Sequence, residues 1–215
     1  MSSAVIFDLD GILVESERYK HKAWQKALRT IGIEMSWEDF LQEWVVKGSS
    51  FSETLKKYNY QGEIEEDDLR PIVNEEYLRY IEEDICAMPG VYDVLDRLSG
   101  EFPLSLASSS KKLYVDKTLE KLGIADMFVA TACGSEVKRL KPSPDVLLLV
   151  AERMDVDPRV CVVIDDAPKG VLAAKRAGMS AIAVPTKDTQ FGDFGKADVV
   201  LPSLNEIMPD MIRML

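Results

Sequence analysis

Only one histidine, His21, occurs in the 215 residues, and no GxSxG elbow is present. A Ser–His–Asp arrangement therefore has neither its usual nucleophile turn nor a choice of base. No GxxxxGK[ST] loop occurs, and Lys47-Gly48-Ser49-Ser50 resembles one only superficially. No GxGxxG follows the first apolar segment, so a dinucleotide site is not expected either. The three cysteines, Cys86, Cys133 and Cys161, form no CxxC pair. That spacing excludes a structural zinc site and a disulfide framework, and the thiols are expected buried in a reducing compartment. Positive charge is scarce: 26 Lys and Arg stand against 37 Asp and Glu, a net charge of −11. The chain thus lacks the basic footprint that nucleic-acid binding needs. No apolar run approaches the roughly 18 residues that span a bilayer. The first strand reads from Ala4, which leaves no room for a signal peptide. The expectation is a cytoplasmic protein, monomeric or weakly self-associating, with neither nucleic acid nor membrane as partner.

What is present is ordinary globular material: 47% hydrophobic and 29% charged residues, enough for an α/β core with a smaller second unit. Ala4-Val5-Ile6-Phe7 reads as a buried strand ending at Asp8-Leu9-Asp10-Gly11. The period then changes. Tyr19, Ala23, Ala27, Leu28 and Ile31 fall at helical spacing up to Gly32. Phe40, Leu41, Trp44 and Val45 give a second helix, Phe51, Leu55 and Tyr58 a third, and Leu69 to Ile81 a fourth. The acidic stretch Glu63–Asp68 before it reads as a solvated loop. Met88-Pro89-Gly90 is a turn. After it, helices and strands alternate: helix 91–98, strand 104–107, helix 111–122, strand 127–132, helix 144–154, strand 160–164, helix 169–177, strand 181–184, a short strand 198–201 and a helix from Leu204. Such alternation predicts a parallel sheet with helices on both faces. The chain is expected to be α/β, with a core of residues 1–15 and 86–215 and an all-helical insertion, residues 16–85, placed to roof a site at the end of the first strand.

Four segments carry the chemistry. Asp8 and Asp10 end one strand and Asp165-Asp166 end another, although either pair can simply cap a helix or form an Asx turn. In an open α/β sheet ligands collect beyond the carboxyl ends of strands, and carboxylates crowded there are unfavourable without a cation. Oxygen-rich sites of this kind suit Mg²⁺, which keeps water and substrate phosphate as its other ligands. Ser108-Ser109-Ser110 follows strand 104–107. One of these serines is expected to cap the next helix, and a helix start with exposed N–H groups is also an anion site. Ser108, nearest the strand end, is the expected phosphate contact. Lys141, in Lys141-Pro142-Ser143-Pro144, is stiffened by its prolines and can neutralise both a phosphate and nearby carboxylates. An acidic chain that handles phosphate needs that local positive charge.

The segments DLDG at 8–11, Ser108, KPSP at 141–144 and DD at 165–166, in this order, resemble the haloacid dehalogenase-like superfamily, and within it the beta-phosphoglucomutase-like phosphatase branch. Ala23-Trp24, Met88-Pro89-Gly90-Val91 and Gly170 through Met179 extend the resemblance to nearly the whole chain. It implies a Rossmann-like core with an all-helical cap. It implies Asp8 as nucleophile and Asp10 as general acid and then base. Ser108 and Lys141 would hold phosphoryl oxygens. Mg²⁺ would sit on Asp8, the Asp10 carbonyl and Asp166, with Asp165 in addition. Ser109, Lys20, Trp24, Lys47, Gly48 and Ser49 are the expected substrate contacts. The expected activity is a Mg²⁺-dependent phosphatase for a small phosphorylated metabolite, such as a sugar phosphate or phosphoglycolate; the alternative is a sugar-phosphate mutase. Three departures favour the hydrolase: Asp165 where the branch has glutamate, Phe51 where the mutases have an arginine for a second phosphate, and Lys20 where they have histidine. Response-regulator receivers share the residue types but are far shorter and lack the helical insertion.

Overall fold

The structure is a computed structural model that describes residues 4–215. Six strands build one parallel sheet: β1 (Ala4–Phe7), β2 (Leu104–Ser108), β3 (Ala130–Cys133), β4 (Cys161–Asp165), β5 (Ser180–Ala183) and β6 (Val199–Val200). Their order is β3-β2-β1-β4-β5-β6, and every neighbouring pair is parallel. The chain builds outward from β1 to β3, then returns to start the other half at β4. The switch point, where ligand sites form in such sheets, falls between β1 and β4. Phe7 registers with Leu106 on one side and Ile164 on the other, so the carboxyl ends of β2, β1 and β4 lie abreast.

Side chains alternate across the sheet with period two. Val5, Phe7, Leu106, Val162 and Ile164 join one core; Ala4, Ile6, Ala107, Cys161 and Val163 join the other. The second core is closed by α7 (Asp145–Arg153) and α8 (Pro168–Ala177), through Val146, Leu147, Val150, Val171 and Ala174. The first is closed by α5 (Val91–Ser99) and α6 (Lys112–Leu122). Four helices occupy the stretch between β1 and α5: α1 (Glu17–Arg29), α2 (Trp37–Phe40), α3 (Phe51–Lys57) and α4 (Glu66–Glu83). α2 continues as a π-helical turn, Leu41–Lys47. A helix α9 (Pro209–Met214) ends the chain.

Several expectations are corrected. Glu66, Asp67 and Asp68 are not loop but the first turn of α4, where carboxylates face the positive end of the helix dipole. Residues 127–129 are not strand; a short 3₁₀ turn, Ala125–Met127, precedes β3. The last helix starts at Pro209 rather than Leu204, where a 3₁₀ turn stands. None of the three serines caps α6. Lys111 occupies the cap position, and the Lys112 N–H donates to Ser135 from the neighbouring loop. Cys86 is exposed, while Cys133 and Cys161 are buried, and all three are free.

Candidate active site

The carboxyl ends of β1 and β4 place Asp8 and Asp165 side by side, and Asp166 follows at once. One carboxylate oxygen from each of Asp8, Asp165 and Asp166 can be chosen so that all lie within 4.8 Å of one another. All three residues are buried. Lys141 enters this group from the loop before α7. Its Nζ donates to Asp8 Oδ1 at 2.7 Å, to Asp165 Oδ2 at 2.8 Å and to the Ala107 carbonyl at 3.0 Å. Every ammonium proton is therefore committed. The Asp165 Oδ1 accepts the Ala167 N–H, and Asp166 Oδ2 accepts the Thr189 hydroxyl at 3.3 Å.

The charges do not balance. Burial, with the charges of Asp165 and Asp10, pushes the Asp8 carboxyl up to about 7 against the pull of Lys141. Burial, with the charges of Asp165, Asp8 and Glu17, raises Asp166 well above the carboxylate range. Burial opposes the charge on Lys141, but Asp165 and Asp8 outweigh it and hold the ammonium protonated above its usual range. One lysine among three buried carboxylates leaves room, in charge and in hard oxygen donors, for a divalent cation. The trio fits Mg²⁺.

Asp10 points elsewhere. Its Oδ2 pairs with Lys20 Nζ at 2.5 Å and accepts the Ser110 hydroxyl at 2.8 Å; its Oδ1 accepts the Ser16 hydroxyl. Burial would raise Asp10, but Lys20 and these hydroxyls reverse the sign and hold it below the ordinary value. Two carboxyls two residues apart are thus driven in opposite directions, the arrangement that divides acid–base roles. The Asp10 side chain is not part of the metal-fitting trio, which leaves only its carbonyl for the expected metal contact.

A cleft of about 180 Å³ opens above this floor. Its lining includes Asp8, Asp10, Lys141, Asp165 and Asp166 below, and Trp24, Phe40, Trp44 and Tyr77 above. Two lysines tie roof to floor. Lys20 of α1 reaches Asp10, and Lys169 of α8 donates to the Trp44 carbonyl at 2.7 Å. Of the expected substrate contacts, Lys20, Trp24 and Ser109 line the cleft; Lys47, Gly48 and Ser49 do not. Lys47 and Ser49 both turn to Glu43, each at 3.0 Å. Gly48 takes φ +72°, and a Cβ there would press on the Lys141 carbonyl, so its place is a close approach of loop to loop. Ser108 is buried and its hydroxyl accepts the Ser110 N–H, leaving Ser109 and Ser110 as the serines on the cleft. The Ser109 hydroxyl is buried and has no partner. Phe51, buried in the roof, packs on Trp24 with ring centroids 6.0 Å apart.

Sequence reasoning missed Arg70, Lys111, Tyr114 and Lys169, all of which line the cleft. Lys169 alone carried a signal, two residues before the apolar face of α8 and next to the DD pair. The other three are brought together where α4 packs on α6.

Residues 3–178 match the haloacid dehalogenase-like hydrolase family. The chain belongs to that family. It is 30% identical to a phosphoglycolate phosphatase of Shigella boydii over 95% of this chain and 90% of the relative. It is also 30% identical to the fructose-1-phosphate phosphatase YqaB of Escherichia coli, covering 85% of this chain and 96% of that one. Among solved structures, a beta-phosphoglucomutase from Clostridium difficile superposes with a TM-score of 0.83 at 28% identity, covering all of this chain and 96% of the other. This haloacid dehalogenase-like chain is a phosphoric monoester hydrolase of the beta-phosphoglucomutase-like branch, and its α/β core carries the parallel sheet of that fold.

Gly170, in the first turn of α8, supplies a sharp test of the floor. A Cβ on Gly170 would overlap the Asp165 carboxylate, which is pinned by Lys141 and the Ala167 N–H. Gly170→Ala is expected to cost about 1–3 kcal/mol from overpacking and to lower kcat/KM by tenfold or more. Urea unfolding and initial rates measure both. A variant with unchanged rate would show that the Asp165–Lys141 contact is dispensable.

Proposed function

We propose that this phosphatase is Mg²⁺-dependent, hydrolyses small phosphorylated metabolites of the phosphoglycolate or sugar-phosphate kind, and carries the phosphoryl group on Asp8 between two steps. The observation that carries this reading is the buried Asp8, joined by Lys141 at 2.7 Å and facing Asp165 and Asp166 at the floor of a small cleft. Asp8, the Asp10 carbonyl and Asp166 would hold the cation, with Asp165 behind them. Once bound, it supplies the charge neutralisation that lets a carboxylate approach a phosphate dianion.

In the first step an Asp8 oxygen attacks phosphorus, the ester P–O bond breaks, and the departing oxygen takes a proton from Asp10. In the second, Asp10 takes a proton from water, the hydroxyl attacks phosphorus, and the Asp8–phosphorus bond breaks to release phosphate. The Lys20 pair holds Asp10 as a carboxylate, which favours the second, base half of the cycle. Ser109 and Ser110, with Ser108 behind them, supply donors for the phosphoryl oxygens, and Lys141 would turn to them the proton it gives Asp8 Oδ1 once Asp8 bonds to phosphorus. Helices 16–85 would act as a cap that excludes water from the first step. The mutase alternative loses support at Phe51, which is committed to cap packing.

The test is a panel of phosphate monoesters assayed with Mg²⁺ and with EDTA. Turnover of at least one small ester that is lost in EDTA and restored by Mg²⁺ is expected. Metal-independent turnover, or none on any ester, would overturn the proposal; conversion of a hexose 1-phosphate to its 6-isomer would replace it with the mutase.

A further inference from the structure

The three carboxylates of the floor are not held alike. Asp8 and Asp165 share the Lys141 ammonium, and Asp165 also accepts the Ala167 N–H. Asp166 has no ion pair among the described residues, where Lys141 serves only the other two. Among those residues its side chain accepts a hydrogen bond from Thr189 alone, at 3.3 Å to Oδ2. Asp166 also stands between two cavities. On one side lies the cleft; on the other lies a cavity of about 390 Å³ whose lining includes Gly11, Asp166, Thr186 and Thr189. A carboxylate crowded by like charges is better placed in water, so an unrestrained Asp166 would turn into the second cavity, away from Asp8. Gly11 bars one direction by packing, since a Cβ there would overlap the Asp166 carboxylate. Thr189 is the group that bonds it.

Thr189 is the single buried residue of the loop 185–196 that follows β5, and its neighbours Lys187, Gln190 and Phe191 are exposed. A buried hydroxyl needs partners, and this one uses its full set of one donor and two acceptor sites. Its oxygen accepts the Thr186 N–H at 2.9 Å and lies 3.1 Å from the Thr186 hydroxyl. That second hydroxyl accepts the Asp188 N–H at 3.2 Å and has its own proton to give Thr189. The Thr189 proton is then left for Asp166 Oδ2. Closing the turn would not require a proton aimed at a carboxylate 23 residues earlier in the chain.

Resting on the Mg²⁺ part of the phosphatase reading, we propose that Thr189 is a positioning residue for the cation: it holds Asp166 Oδ2 on the loop side and keeps that carboxylate turned toward Asp8 and Asp165. Partners behind a metal's ligands fix the ligands' direction and change metal affinity about 10–100-fold. Thr189 touches no reacting atom and acts through Asp166 alone. Its signature is therefore a change in ion affinity that excess ion overcomes.

The experiment titrates Mn²⁺, which takes the same oxygen ligands as Mg²⁺, into substrate-free, full-length wild type, T189V, T189A and T189S. Free ion is counted by electron paramagnetic resonance. T189V and T189A are expected to bind Mn²⁺ about tenfold more weakly or worse, and T189S close to wild type, because serine keeps the hydroxyl. T189A keeps the proposal testable if the valine variant folds poorly. On any ester the protein hydrolyses, the Mg²⁺ concentration for half-maximal rate is expected to rise by the same factor in T189V and T189A, with kcat at saturating Mg²⁺ near the wild-type value. Unchanged Mn²⁺ binding in T189V and T189A, or an equal loss in T189S, would overturn the positioning role and leave the phosphatase untouched. So would a fall in kcat that saturating Mg²⁺ does not restore, with ion affinity unmoved. A wild type that binds no Mn²⁺ would overturn this proposal together with the metal requirement. Weaker binding rescued by serine, in a chain that hydrolyses no ester, would uphold Thr189 and sink the phosphatase.

Discussion

Asp8→Asn is expected to abolish turnover, by about 10⁴-fold or more in kcat, on every ester the wild-type protein hydrolyses. The amide keeps the shape of the carboxyl, and its oxygen still accepts from Lys141, so the site is expected to remain assembled. What disappears is an anionic oxygen able to bond to phosphorus. A second readout shows that the loss is chemical. The Asp8 carboxyl is pushed up to about 7, first by burial and then by Asp165 and Asp10, from an ordinary value near 3.8. In the native protein it therefore binds a proton over a range of pH in which the unfolded chain does not. Its contribution to stability is fully present below about pH 4 and is lost as pH rises through about 7. D8N cannot titrate there. In EDTA its melting temperature is expected to fall less than that of wild type between pH 4 and 7, and to exceed it at pH 8. Residual wild-type turnover in D8N would remove Asp8 from the nucleophile's role; a parallel pH profile for the two proteins would show that Asp8 is not the strained group.

The floor of the cleft was legible because strand ends impose it. Once β1 and β4 are neighbours in a parallel sheet, Asp8 and Asp165 are abreast whatever the loops do. A lysine set among prolines has few other reasons for its stiffness. The far end was not legible. The apolar period of α4 marks Leu69, Val73 and Tyr77 as buried, and Arg70 beside Leu69 reads as surface. Only the packing of α4 on α6 turns it toward Lys111 and Trp24. The loop Lys47-Gly48-Ser49 misled for a related reason. Glu43, one turn earlier, captures both polar side chains, and the π-helical turn that presents it has no signature in hydrophobic spacing. The serines after β2 illustrate competition between partners. Asp10 and the Ser110 N–H claim hydroxyls that a helix cap would otherwise use, so Ser135 supplies the cap contact from the next loop.

Lys141→Met is expected to produce the largest loss of stability of any single substitution at the floor. Lys141 is 4% exposed and spends its three donors on Asp8, Asp165 and the Ala107 carbonyl. Methionine nearly fills the same channel, so cavity formation adds little. The cost is electrostatic: Asp8 and Asp165 lose their only ion-pair partner among the described residues, with Asp166 still crowded against them. Breaking a buried pair from one side costs about 3–5 kcal/mol, and loss of a preorganised donor to the phosphoryl group lowers kcat about 10²–10³-fold. Lys141→Arg is not expected to rescue either quantity, because the guanidinium is wider and cannot direct three donors into a pocket shaped for an ammonium. The cation separates the two roles. Because Mg²⁺ supplies positive charge to the same carboxylates, the stability deficit of K141M is expected to be larger in EDTA than in millimolar Mg²⁺. The loss in kcat is expected to persist at saturating Mg²⁺, since no cation on the carboxylates replaces a donor aimed at the phosphoryl oxygens. Urea unfolding in both buffers and initial rates across a Mg²⁺ titration measure these effects. If saturating Mg²⁺ restored rate as well as stability, Lys141 would be a counter-charge alone; if K141M were within about 1 kcal/mol of wild type in EDTA, the crowded carboxylates would have to be neutral, and the electrostatic account of the floor would fall with them.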